Sequence, residues 1–216
     1  MKHNITPKSE NQKINYSQIF KLSQNMKTNI LKTGSFLVLA VVFTSFTTTL
    51  LKKEIKVKES KITWKGYKVA GSHEGTINLA EGQLTFNDDV LSGGNFTIDM
   101  TSINVTDLET GDGKENLEGH LKSDDFFGVE NYPQAKLAIT NVKGKNGNFQ
   151  VTGDLTIKGQ THPTSFNMNI ANKTATANLK IDRTKYDIKY GSSSFFDGLK
   201  DKAIYDEFDL NVTLKF

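Results

Sequence analysis

The chain has no cysteine in 216 residues, and that absence closes several routes at once. It leaves no disulfide framework, no thiolate nucleophile, no cysteine-based metal site, and no cysteine after an apolar segment to carry a lipid anchor. Arginine is scarce too, since Arg183 stands alone against 26 lysines. The histidines after residue 49 are isolated: His73, His120 and His162 form no His-Glu-x-x-His pair, so a zinc site would have to be assembled by the fold alone. Ser192, Ser193 and Ser194 sit in no Gly-x-Ser-x-Gly elbow, and Gly93-Gly94 lacks the Lys-Ser/Thr of a phosphate loop. Nothing marks a cofactor, a metal or an enzyme. Paired carboxylates such as Asp88-Asp89 and Asp124-Asp125 fit turns and helix starts instead.

Long hydrophobic runs are also missing. Lys27 and Lys32 precede the apolar run Phe36–Phe43, which is too short to cross a bilayer and is followed by Thr44, Ser45 and Thr47 to Thr49. That order is the pattern of a secretory signal peptide, with cleavage expected near Thr47 to Thr49 and the start at Met1 or Met26. Residues 1–49 are therefore read as extension and signal, residues 50–216 as one domain, and the destination as periplasmic or secreted. Six lysines and one glutamate lie in 1–49, so the balance of 27 basic to 24 acidic residues becomes 21 to 23. A domain this close to neutral has no electrostatic footprint for nucleic acid.

What the domain does have is period-two patterning. Phe208, Leu210, Val212, Leu214 and Phe216 interleave with Asp209, Asn211, Thr213 and Lys215, as expected of a strand with one wet face. The same alternation runs through Phe96-Ile98-Met100, Leu137-Ile139, Phe149-Val151 on to Leu155-Ile157, Phe166-Met168-Ile170 and Ala175 to Ile181. Asn146-Gly147 is a hairpin signal, Ala171-Asn172-Lys173 is short enough for another, and Asn87-Asp88-Asp89 and Ser92-Gly93-Gly94-Asn95 read as loops. About eight such strands must pair their edges and cover one apolar face, and closing into a barrel does both. A two-sheet sandwich is the alternative. The reading is all-β: an eight-stranded antiparallel barrel with short helices near 113–121, 123–128 and 194–199 in two long connections, 106–134 and 184–206.

A barrel of this size either fills itself or holds one small ligand. Small Ala175, Ala177 and Gly153 share the periodic face with large Phe96, Met100, Phe149, Phe166 and Met168, which suits an elongated apolar space as well as a dry core. The lone Arg183 fits bidentate binding of a carboxylate or phosphate, or a salt bridge to Asp187, Asp206 or Glu207, with the salt bridge favoured.

Two segments go further. Gly119-His120-Leu121-Lys122-Ser123-Asp124-Asp125-Phe126-Phe127-Gly128 through Pro133 resembles the "HLxSxDFFDxxxYP" signature of the YceI-like family, and Gly153–Pro163 resembles its "GxLTIxGxTxP" segment. Lys61–Gly66, Gly71–Gly75 and Ile181–Tyr186 extend the likeness over about 59–216. The resemblance implies a lipocalin-like barrel that binds a polyisoprenoid or other long-chain lipid. It implies a tunnel walled by Trp64, Phe96, Ile98, Met100, Leu137, Ile139, Phe149, Val151, Leu155, Phe166, Met168, Ala177 and Leu179. Phe126-Phe127 and Phe195-Phe196 would form its rim, and Arg183 is the head-group candidate. Two rivals stand beside this: a solid envelope interaction module, and an enzyme acting on an isoprenoid or quinone through His120, Asp124 or Arg183. A homodimer is compatible with all three.

Overall fold

Period-two patterning becomes sheet throughout the computed structural model, which describes residues 50–54 and 59–216. The export segment expected over 1–49 lies outside the described residues. These form nine strands and one α-helix: β1 Leu50–Glu54, β2 Lys61–Lys68, β3 Gly71–Asn87, β4 Val90–Val105, α1 Lys114–Lys122, β5 Gln134–Lys145, β6 Asn148–Ile157, β7 Gln160–Ala171, β8 Thr174–Asp182 and β9 Ile204–Lys215. Every pairing is antiparallel. Consecutive strands from β2 to β9 pair in sequence, and β2 pairs with β9, so eight strands close on themselves. Closure excludes the sandwich, because no break separates two sheets. β1 is the extra strand: it pairs with Gln83–Asn87 of β3, whereas β2 pairs with Gly71–Ile77 of that same strand.

Tight turns set the register of the meander. Asp88-Asp89, Asn146-Gly147, Lys158-Gly159 and Asn172-Lys173 each place two successive residues at positive φ, the geometry whose twist matches flanking antiparallel strands. β8 then alternates cleanly, with Ala175, Ala177, Leu179 and Ile181 buried and the residues between them facing water. β3 and β4 do not alternate cleanly, because their ladder shifts register near Thr76/Asn78, Leu79/Glu81 and Thr85/Phe86. Each shift moves later side chains to the other face.

Three local expectations are corrected. Ser92-Gly93-Gly94-Asn95 is not a loop but part of β4. Gly94 is there for close packing, since a Cβ on it would stand 2.8 Å from the Gln83 carbonyl of β3 and 3.3 Å from Ile139 of β5. Residues 123–128 form a turn, not a helix. Their N–H groups run backwards: Phe127 donates to Leu121 O, Val129 to Lys122 O, and Gly128 to Ser123 O. The loop thereby satisfies the carbonyls at the end of α1, and Gly128 takes the left-handed φ of 56° this requires. Ser123 accordingly caps the helix before it, its Oγ donating to His120 O at 2.8 Å. Finally, the 183–204 connection carries 3-10 turns at Arg183–Tyr186 and Lys200–Lys202 and no helix over 194–199.

Candidate functional site

The barrel is hollow at one end. A cavity of about 320 Å³ opens where β2, β4 and β8 end and β3, β7 and β9 begin, and it descends to Ile62, Met168, Ala177 and Leu214. That volume lies at the small end of ligand pockets, roughly 300–1,000 Å³. Its wall is built from the inward alternation: Trp64 and Gly66 of β2, Ile77 and Leu79 of β3, Phe96, Ile98 and Met100 of β4, Leu137 of β5, Leu155 and Ile157 of β6, Phe166 and Met168 of β7, Ala177 and Leu179 of β8, and Phe208 through Leu214 of β9. A wall this apolar selects by length and width, not by chemical detail.

Two glycines on the strands that carry the wall act in opposite ways. At Gly75 of β3 a Cβ would collide with the Asn104 carbonyl and the Trp64 ring. The missing side chain lets the indole of the directly paired Trp64 lie across the strand, with Nε1 donating to Thr76 O at 3.2 Å. At Gly66 a Cβ would meet nothing within 4 Å. There the wall simply retreats.

The mouth is covered by α1 and the turn after it. α1 is tied to the end of β4 by Glu118, whose Oε1 accepts the Val105 N–H at 2.9 Å, and its N-terminal turn is closed by Glu115 accepting from Gly111 N–H. It brings Leu117, His120 and Leu121 to the cavity, and the turn adds Phe126 and Phe127. The aromatic rings interlock: His120 stands edge-on to Phe126 at 5.3 Å and to Tyr190 at 4.5 Å, and Phe127 meets Phe208 at 6.4 Å. His73, also at the mouth, is oriented by Asp107, Nδ1 lying 2.9 Å from Oδ2. Burial pushes the Asp107 carboxyl up, but the Glu74 N–H and His73 outweigh it and hold the group below the usual carboxylate range. The Nε2 of His120 is sealed from solvent and has no hydrogen-bond partner among the described residues.

Arg183 is buried against this lid and its fork is already occupied. Nε donates to Tyr205 O at 3.0 Å, Nη1 to Ile188 O at 2.7 Å and Nη2 to Ile204 O at 3.0 Å, while the guanidinium lies 5.4 Å from the centre of the Phe126 ring. Of the three carboxylates considered, Asp206 is the ion-pair partner, at 3.8 Å; Asp187 pairs with Lys189 and Glu207 with Lys180. The head-group candidate borders the cavity, and its donors are engaged in a clamp that joins both ends of the 183–204 connection, a task suited to the planar guanidinium. Phe195 and Phe196 depart from the expected rim: they are 50% and 51% exposed and do not border the cavity. Phe149 and Val151 are buried, and Ile139 half-buried, below the cavity floor without lining it. The remaining anticipated wall residues all line the space.

Gly66, His73, Leu117 and the β9 residues Phe208, Leu210 and Val212 line the cavity without having been expected there. For β9 the alternation was plainly visible. For Leu117 no signal existed, because α1 reaches the cavity only through the way its loop is tied down.

The profile of the YceI-like domain matches residues 53–216. The chain belongs to the YceI-like family. Among curated relatives, this YceI-like chain is 35% identical over 95 residues to the UPF0312 protein plu2095 of Photorhabdus laumondii, a stretch covering 43% of this chain and 46% of that protein. It is 34% identical over 91 residues to Protein YceI of Escherichia coli, covering 41% and 44%. The matched stretch thus spans a little under half of those relatives. Among solved structures, BcnA of Burkholderia cenocepacia superposes with a TM-score of 0.60 at 21% identity, covering 74% of this chain and 98% of that one. A polyisoprenoid binding domain from Saccharophagus degradans, implicated in plant cell wall breakdown, gives 0.52 at 14% identity, covering 77% and 97%. At these identities the likeness is one of fold.

Proposed function

We infer that this YceI-like barrel binds a polyisoprenoid or similar long apolar chain without covalent chemistry, and carries or stores it in the periplasm or outside the cell. One observation carries the reading: an apolar cavity, about 320 Å³, continuous from an aromatic lid to the middle of the barrel. A filled core would leave no such space in an interior packed to native density. The polyisoprenoid binding domain of Saccharophagus degradans, which shares the fold, adds support. Removing apolar surface from water at roughly 25 cal/mol per Å² drives entry, less the cost of ordering the chain. The polar end of the ligand stays at the mouth, where the unpartnered Nε2 of His120 supplies a hydrogen-bonding site.

Native mass spectrometry of the exported protein, followed by solvent extraction and lipid analysis, tests this. A bound isoprenoid, quinone or fatty chain is the expected result. A bare polypeptide mass, with no binding when such lipids are offered, would replace the reading with the interaction module. That alternative rests on the half-exposed aromatics Tyr190, Phe195, Phe196 and Tyr205 in and beside the 183–204 connection.

A further inference from the structure

The end of the barrel opposite the lid is solid. Phe149 and Val151 lie on the same face of β6 as Leu155 and Ile157 and are buried, yet neither borders the cavity. Their register partners on β7, Met168 and Phe166, do border it. The empty space therefore stops between one side chain and its direct neighbour. From below, the end is shut by the Phe86 and Phe216 rings, whose centroids are 5.8 Å apart, and by Lys53 of β1, with Nζ 4.4 Å from the Phe86 centroid. The Lys53 cation is thus attracted to both rings, its Nζ also lying 5.6 Å from the Phe216 centroid.

We propose that this filled end is a chain-length stop with Phe149 as its boundary residue, so that the protein buries a chain of limited length and leaves any excess at the mouth. The proposal rests on the lipid-binding reading and adds to it a selection by length. The lining of β9 runs from Ile204 to Leu214; a bulge between Ile204 and Phe208 uses four residues where β2 uses two, so at ~3.3 Å per residue and a tilt of ~40° the depth is roughly 20 Å. An extended isoprene repeat of four carbon–carbon bonds spans about 5 Å, so about four units fit.

The test is a series of all-trans prenols, from farnesol upward, titrated against the whole exported protein by tryptophan fluorescence, since Trp64 is the only tryptophan in the chain and lines the cavity. Affinity should rise several-fold with each added unit up to about four units and then level off. Phe149→Ala should move the break to a longer prenol, and Ala177→Phe, which fills the cavity opposite Met168, to a shorter one. Should Phe149→Ala fail to fold, the native series and Ala177→Phe still decide. Affinity that keeps climbing in the native protein, or a break that the folded variants leave unmoved, overturns the stop. If no prenol binds to native protein whose circular dichroism shows an intact barrel, the lipid-binding reading itself fails.

Discussion

Gly66→Phe separates a cavity from a core at one position. Gly66 faces inward between Trp64 and Lys68 and pairs with His73 and Phe208, and a Cβ there finds open space. Its φ is not positive, so an L-residue meets no backbone strain. Replacing glycine in a strand interior recovers about 0.5–1 kcal/mol of backbone entropy, and phenylalanine suits a strand. The barrel should melt at the native temperature or roughly 2–4 °C higher. The ring would occupy the passage and deny a ligand about 100 Å² of apolar contact, worth about 2.5 kcal/mol or near 70-fold in Kd. Gly75→Ala is the matched control: its Cβ strikes the Asn104 carbonyl and the Trp64 ring, and overpacking of that kind costs about 1–3 kcal/mol. Thermal melts and lipid retention, read side by side on both variants, decide the matter. A Gly66→Phe protein that melts well below the native one, or still carries its lipid, would refute the assignment of this space as a ligand passage.

Three further outcomes are expected. N-terminal sequencing of the exported protein should begin near residue 50, and an intact Met26 on membrane-extracted protein would show an anchor instead. Arg183→Lys should strand buried carbonyls among Ile188, Ile204 and Tyr205, costing about 3 kcal/mol and lowering Tm by roughly 6–12 °C with ligand affinity unchanged; lost affinity at an unchanged Tm would restore it as a head-group residue. The hydrogen bond from Tyr67, then Lys180, holds the Asp209 carboxyl below its usual range. A depressed folded value contributes stability above the unfolded pKa of about 3.9 that is lost as pH falls through the folded value. Asp209→Asn should therefore flatten the acid limb of a urea-midpoint-against-pH curve, and an unaltered limb would remove Asp209 from that account.

The barrel was legible because its later strands obey simple rules. From β6 to β8, and in β9 from Phe208 onward, the inward residues alternate without interruption, and Asn146-Gly147 announces its own turn. Lys158-Gly159 and Asn172-Lys173 adopt the same turn geometry with weaker composition, and there the neighbouring strands, more than the turn residues, force the register. β3 and β4 hid their length for a physical reason. Three register shifts scramble the period along them, and Gly93-Gly94, a turn signal by composition, serves instead to let three strands approach.

The site was legible in its wall and opaque at its two ends, and the difference is one of cause. Wall residues such as Phe166, Met168, Ala177 and Leu179 are inward because period two places them there, whatever the ligand. Where the cavity begins and ends depends on non-periodic contacts. At the mouth, Phe126 is turned inward by backbone bonds from its own loop to the carbonyls of α1, and Phe195, in a connection that also carries a Phe-Phe pair, is left half-exposed where Arg183 pins that connection by its two ends. At the floor, Phe149 and Phe166 share the inward pattern, yet only Phe166 borders empty space, because Phe86 and Phe216 crowd the end that Phe149 occupies. An apolar residue on the inward face is thus necessary for a tunnel but does not locate one. Its depth is fixed by which large side chains from distant strands meet at the same level of the barrel, and that information resides in the register between strands, not in any one of them.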